Sequence, residues 1–258
     1  MLVPLEDIFK ESTRIIDEAE KRGAVLRLFG GMAIRFHCQS ATHRGLTRKY
    51  ADIDFMGLSK QSRKIQELFV ALGYEPRGIF NRLQGARRLI FNDIANHRRV
   101  DIFLDVFEMC HKFNFEKRLT LDKPTISLAD LLVTKLQVVE MTEREYRDII
   151  AMMKDHPIGD SDAPETINGV YIASLCGDNW GVYKTFQVTI DNVLSSLAHY
   201  DLDAESVELV QGRLKDLRDR IEKQPKSMRW KMRAQIGEKK QWYELPEMDK
   251  EVVGSPIP

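Results

Sequence analysis

Long apolar runs are missing from this 258-residue chain: none approaches the 18 residues that span a bilayer, so no membrane-crossing role is expected. Net charge is missing too. Lys+Arg and Asp+Glu both total 39, which removes any bulk pull toward nucleic acid or membrane and leaves such preferences to local charge. Cysteine is scarce: Cys38, Cys110 and Cys176 stand far apart with no CxxC spacing, excluding a secretory disulfide framework. They read as reduced packing residues. The opening MLVPLEDIFKES carries charges where a signal peptide has its apolar stretch, so the cytoplasm is the expected compartment. Internal repeats and low-complexity tracts are also absent.

What remains is an ordinary globular composition, 43% hydrophobic and 30% charged, enough for one large domain or two smaller ones. Residues 5–22 keep a helical apolar pattern (Ile8, Ile15, Ile16, Ala19) that stops at Gly23, a suitable helix terminator. Ala24–Phe29 predicts a strand, Gly30–Gly31 a break, and MAIRFHCQ a helix opening directly after it. ADIDFMGL alternates as a second strand, and Ser59 is placed to cap a helix running to Leu72. Arg88–Asn92 and Arg99–Phe107, joined by NDIANH, predict two more strands. After Pro124 the pattern changes: Ser127 and Asp130 form a capping box before LLVTKLQVV, and helical periodicity continues apart from an interruption at 157–168. The expected fold is α/β (α+β), with a small mixed sheet flanked by helices in residues 1–124 and a helical domain in 125–258.

Asp52 and Asp54 are the first candidates for chemistry. Residues i and i+2 of a strand share a face, so the two carboxylates emerge side by side with backbones roughly 7 Å apart. Adjacent carboxylates repel unless a cation lies between them, and hard oxygen donors on a rigid strand suit Mg²⁺ together with substrate phosphates. A solvated strand edge with incidental acids is the alternative. Gly30–Gly31 adds a place where backbone can approach a ligand, just before a helix N-terminus able to receive phosphate. Asp101, in RRVDIFLDVF, offers a third carboxylate for a metal cluster or a base. Asp105 is its rival, and Asp101 is preferred because it starts the apolar run.

The ordered set LFGGMAIRF, RKYADIDFMGL and VDIFLD resembles the DNA polymerase β-like nucleotidyltransferase superfamily, with its GG or GS turn, D-h-D strand and later acid. ISLADLLVTKLQVVEMTEREYRDIIAMM resembles the segment after that core in bacterial AbiEii-type and related nucleotidyltransferases, which show D-L-L-x-x-K-L and a downstream E-R-x-x-x-D. The resemblance covers about 25–156. It implies that Gly30 and Gly31 cradle a triphosphate, that Asp52, Asp54 and Asp101 bind metal, and that Lys135 faces the phosphates. A lysine of an amphipathic helix also commonly snorkels to solvent, and that reading of Lys135 stays open. The sequence departs from the family in the long stretch between Gly31 and Asp52, where SATHRGLTRKY makes the acceptor pocket the part least defined.

Arg48 and Lys49, just before the DID strand, are placed to neutralise a nucleotide, or form a plain basic loop. His37 and His43 have no metal-ligand spacing with Cys38 and read as bystanders. Residues 213–240 hold eleven Lys/Arg against four Asp/Glu, a local net of about +7, with Trp230, Trp242 and Tyr243 in or just after them. Basic charge interleaved with aromatics suits RNA; the alternative is a solvated helix pair burying Leu214, Leu217 and Ile221. The expected function is transfer of a nucleoside monophosphate from an NTP, with Mg²⁺ (or Mn²⁺), to a hydroxyl of RNA such as tRNA, a protein or a small molecule of aminoglycoside type. The alternative is a nucleotide- or RNA-binding protein of the same fold without turnover.

Overall fold

The computed structural model describes residues 3–245, so the last thirteen residues assigned to the helical part lie outside it. Helix α1 (Ile8–Lys21) is capped by Asp7, whose carboxylate accepts from the N–H groups of Phe9 and Lys10. It closes before Gly23, at φ +64, the left-handed conformation that a helix terminator needs. The chain continues as β1 (Leu26–Phe29), α2 (Gly30–His37), β2 (Asp52–Gly57), α3 (Ser62–Ala71), β3 (Glu75–Pro76), α4 (Gly78–Gln84), β4 (Arg88–Asp93) and β5 (Arg98–Leu104). A hairpin follows, β6 (Val106–Glu108) with β7 (Lys112–Asn114). The remainder is α5 (Leu128–Leu136), α6 (Glu143–Asp155), the two-residue strands β8 (Ile158–Gly159) and β9 (Ile167–Asn168), then α7 (Gly169–Asp178), α8 (Trp180–Ser196), α9 (Ala204–Lys223) and α10 (Met228–Ile236).

The first five strands form a mixed sheet in the order β1-β2-β5-β4-β3, with β2 and β5 parallel at its centre and the other pairs antiparallel. Strand alternation divides its two faces. Ile53 and Phe55 of β2 are fully buried, Phe55 meets Phe69 of α3 edge-on at 6.1 Å, and Phe69 stacks on Phe91 of β4 at 4.7 Å. The opposite face carries Asp54, Asp101 and Phe103. Helices α2, α5 and α6 pack together on that side, and one contiguous cluster of buried apolar residues runs from Ile15 to Ile221. The α/β part and the helices after Pro124 therefore share a core.

Several elements differ from expectation for local reasons. The strand expected over Arg99–Phe107 ends at Leu104, because Asp105 takes φ +60 and its carboxylate accepts the N–H of Ser59 at 3.0 Å. Ser59 thus starts a short 3-10 turn and caps nothing with its side chain; α3 begins at Ser62. The capping box at α5 is one-sided: Ser127 Oγ accepts from the Asp130 N–H, while the Asp130 carboxylate binds Arg118 at 2.7 and 2.9 Å. The expected stripe of α9 is present, with Leu214, Leu217 and Ile221 fully buried beside Val210. All three cysteines are free and buried, and among the described residues no helix is long and apolar enough to cross a membrane.

Candidate active site

The register of the sheet assembles the candidate site. Asp54 pairs with Phe29, the last residue of β1, on one side and with Asp101 of β5 on the other. Gly30 therefore turns directly over Asp54. Its φ is +61, and a Cβ there would lie 2.5 Å from Asp54 Oδ2. A Cβ on Gly31 would lie 2.2 Å from Arg48 Nη2 and 3.1 Å from the Tyr50 ring. Gly30 needs glycine for backbone conformation as well as space, whereas a side chain at Gly31 would have to displace the end of the Arg48 side chain. The cleft so formed is floored by Phe29, Phe103 and Phe107, whose ring centroids lie 4.7–5.6 Å apart. Its polar walls are Asp52, Asp54, Arg48, Tyr50, Thr134, Lys135, Arg144 and Glu145.

Asp52 is exposed at the mouth and Asp54 is half-buried deeper in. Burial first, then the negative charges of Asp52 and Asp101, push the Asp54 carboxyl up to about 7, against the weaker pull of Lys135 and Arg88. Such an acid pair fits a hard divalent cation, with Asp52 and Asp54 as the oxygen donors. Asp101 is brought to the same face but is 4% exposed and already engaged. Arg88 Nε and Nη2 lie 2.8 and 2.7 Å from its Oδ1, and Arg99 Nε lies 2.8 Å from its Oδ2. Of the two candidate third acids, Asp101 is the register neighbour of Asp54, whereas the Asp105 carboxylate accepts the Ser59 N–H.

The cations on the opposite wall are organised by a residue not assigned to the site from sequence. Asp148 of α6 is buried and receives Arg48 through Nε and Nη2, both at 2.9 Å, and Lys135 Nζ at 2.8 Å. Two cations on one acid leave this wall net positive. Arg48 also lies over the Tyr50 ring, its Cζ 4.3 Å from the centroid. The Tyr50 hydroxyl is buried and has no hydrogen-bond partner among the described residues. Lys135 thus lies in the cleft wall, whereas Lys49 is exposed, does not line the cleft, and contributes only its carbonyl to Arg48 at 3.3 Å. A signal for Asp148 was present in the E-R-x-x-x-D pattern, which spans Glu143, Arg144 and Asp148.

The aromatics of the C-terminal segment are used within the chain. Trp230 packs on Tyr183 at 5.2 Å, Trp242 donates its indole N–H to Thr185 Oγ1 at 3.1 Å, and Arg233 lies over Trp180 at 4.6 Å while binding the Gly237 and Lys240 carbonyls. Arg229 and Lys231 remain exposed on α10.

Neither a protein-family model nor a curated protein matches the chain. One solved structure that aligns is the solution structure of the antibiotic-resistance factor ANT(2'')-Ia, at 13% identity and a TM-score of 0.31, covering 81% of this chain and 92% of that one. A likeness of that degree establishes neither fold nor substrate.

Proposed function

We propose that this chain is a metal-dependent nucleotidyltransferase that moves a nucleoside monophosphate from an NTP to a hydroxyl acceptor. The observation that carries the reading is the Asp54 carboxylate held against Gly30, where a Cβ would fall 2.5 Å from Oδ2, with Asp52 beside it and a cationic wall opposite. The backbone N–H groups at the uncapped start of α2 receive phosphate oxygens, which only glycine at 30 and 31 leaves room to approach. Arg48 and Lys135, fixed by Asp148, and Arg144 balance the triphosphate charge. A divalent cation between Asp52 and Asp54, when bound, stabilises charge on the attacking and leaving oxygens. Asp101 lies outside this ligand set: with Arg88 and Arg99 it forms a positioning group that sets the field behind Asp54.

The aromatic floor supplies an apolar surface for a base or an acceptor ring. The exposed Arg229 and Lys231 favour an RNA end over a cationic small molecule as acceptor. Incubation with Mg²⁺, each α-labelled NTP, and total tRNA, the protein alone or an aminoglycoside tests the reading. It expects label on one acceptor, lost in Asp54→Asn. Binding of Mg²⁺-NTP with no transfer to any acceptor supports a nucleotide-binding protein without turnover, and absence of binding contradicts the site.

A further inference from the structure

His37, His156 and Glu165 meet where the end of α2, the end of α6 and the loop between β8 and β9 converge, away from the residues that line the carboxylate cleft. One donor atom from each lies within 4.8 Å of the other two. His37 Nδ1 is 3.7 Å from Glu165 Oε1, and His156 Nδ1 is 3.3 Å from Glu165 Oε2. The two imidazole rings stand 5.9 Å apart, nearly perpendicular.

The proton inventory leaves this group incomplete. Thr125 Oγ1 lies 2.8 Å from the Ile126 carbonyl and 2.6 Å from His37 Nε2, and when its hydroxyl donates to that carbonyl it accepts from His37 Nε2–H. A neutral His37 then carries a bare lone pair on Nδ1, aimed at a carboxylate that is itself only an acceptor. Two facing acceptors are satisfied by a proton on Nδ1 or by a metal ion between them. His156 adds a second open valence. The residue is buried; its Nδ1, 3.2 Å from the Glu165 carbonyl, carries the hydrogen, so the lone pair open to a metal is on its buried Nε2, which has no hydrogen-bond partner among the described residues. Glu165 is held here at φ +54, a conformation that side-chain-bearing residues rarely adopt.

We propose that His37, His156 and Glu165 form a binding site for a zinc-class transition-metal dication, separate from the Asp52–Asp54 pair. Two imidazoles and one carboxylate are the donors of a three-ligand zinc site, and nitrogen donors select against Mg²⁺. The Thr125 contact holds the His37 ring by its other nitrogen, the usual support of a ligating histidine. Tetrahedral ligands about 2.0–2.2 Å from zinc lie roughly 3.4 Å from one another, so closure asks for about 1 Å of movement. Glu165, 70% exposed on a loop and already 3.3–3.7 Å from an imidazole nitrogen of each histidine, can follow, and the approach of the two imidazoles by ring rotation supplies the rest. Bound metal would join α2, α6 and that loop, so its role is structural or regulatory with respect to the cleft.

The test uses the full chain, stripped with chelator, dialysed and titrated with CoCl₂, whose visible ligand-field bands report tetrahedral nitrogen and oxygen donors. One equivalent of Co²⁺ is expected to give the bands and Zn²⁺ to displace it. The bands should persist in the Asp52→Asn/Asp54→Asn double variant, which separates this site from the cleft. Glu165→Gln, at an exposed side chain and so without loss of fold by circular dichroism, should weaken Co²⁺ affinity about tenfold or more. Absence of bands in the wild-type chain, full affinity in Glu165→Gln, or loss of the bands in the double variant would overturn the proposal.

Discussion

Replacing Asp54 with asparagine should stabilise the metal-free protein at pH 8 and leave it unchanged at pH 4. The Asp54 carboxyl titrates near 3.8 in an unfolded chain and is pushed up to about 7 in the fold, by burial first and by Asp52 and Asp101 next. Between those values the native state keeps a proton that the unfolded state has released. Stability contributed by the protonated form is therefore complete below pH 4 and lost as pH rises to about 7. At about 1.36 kcal/mol per pKa unit the ceiling is roughly 4 kcal/mol. Asp54 is half-buried at the cleft, so solvent screening reduces the expected gain of the asparagine variant to about 1–3 kcal/mol. For a chain of this size that is a rise of about 2–12 °C in Tm. Calorimetry of both proteins at pH 4, 6 and 8 in chelator measures it. A variant no more stable than wild type at pH 8, or a gain of equal size at pH 4, would refute the electrostatic reasoning.

Other perturbations follow from the same geometry. Gly30→Ala places a Cβ 2.5 Å from Asp54 Oδ2 on a residue at φ +61, and should cost about 1–3 kcal/mol in urea unfolding while removing Mg²⁺-NTP stabilisation; unchanged values for both would contradict the close approach. Asp148→Asn leaves Arg48 and Lys135 without the carboxylate that pairs both, and a loss of about 3–5 kcal/mol is expected; a near-neutral effect would show that the buried pairs do not hold the wall. If RNA is the acceptor, Arg229→Glu with Lys231→Glu should weaken binding and flatten its salt dependence by about 0.7 per cation, with NTP-induced stabilisation intact. Arg233 is left unchanged because it binds the chain's own carbonyls. Absence of RNA binding by the wild type at low salt would remove RNA from consideration.

The central part of the site was legible because it rests on short-range rules. Period-two alternation placed Asp52 and Asp54 on one face and Ile53 and Phe55 in the core, and the adjoining glycines marked the close approach. Its electrostatic partners were less visible, since they come from tertiary packing. Asp148 meets Arg48 from 100 residues away in sequence. Arg99 stands two residues before Asp101 on one strand, so alternation alone indicated that they share a face; their pairing, and the part taken by Arg88 on β4, depended on the register. Helix α4 and the β6–β7 hairpin are too short to show a period, and Asp105 broke the apolar run of β5 in a way that only its left-handed backbone reveals. His37 had no ligand-like neighbour in sequence, and its partners became apparent only in the folded chain.

The most direct test of the proposed nucleotide site is the thermal response of the wild-type protein and of Asp54→Asn to Mg²⁺, to each NTP, and to the two together. On the proposed function, phosphate oxygens would complete the coordination of a cation held by Asp52 and Asp54, so the ligands should bind cooperatively and raise the wild-type Tm together by more than the sum of their separate shifts. The account predicts that synergy for at least one NTP and its loss in Asp54→Asn. Shifts that are merely additive or absent for every NTP, or a synergy that survives in Asp54→Asn, would contradict it.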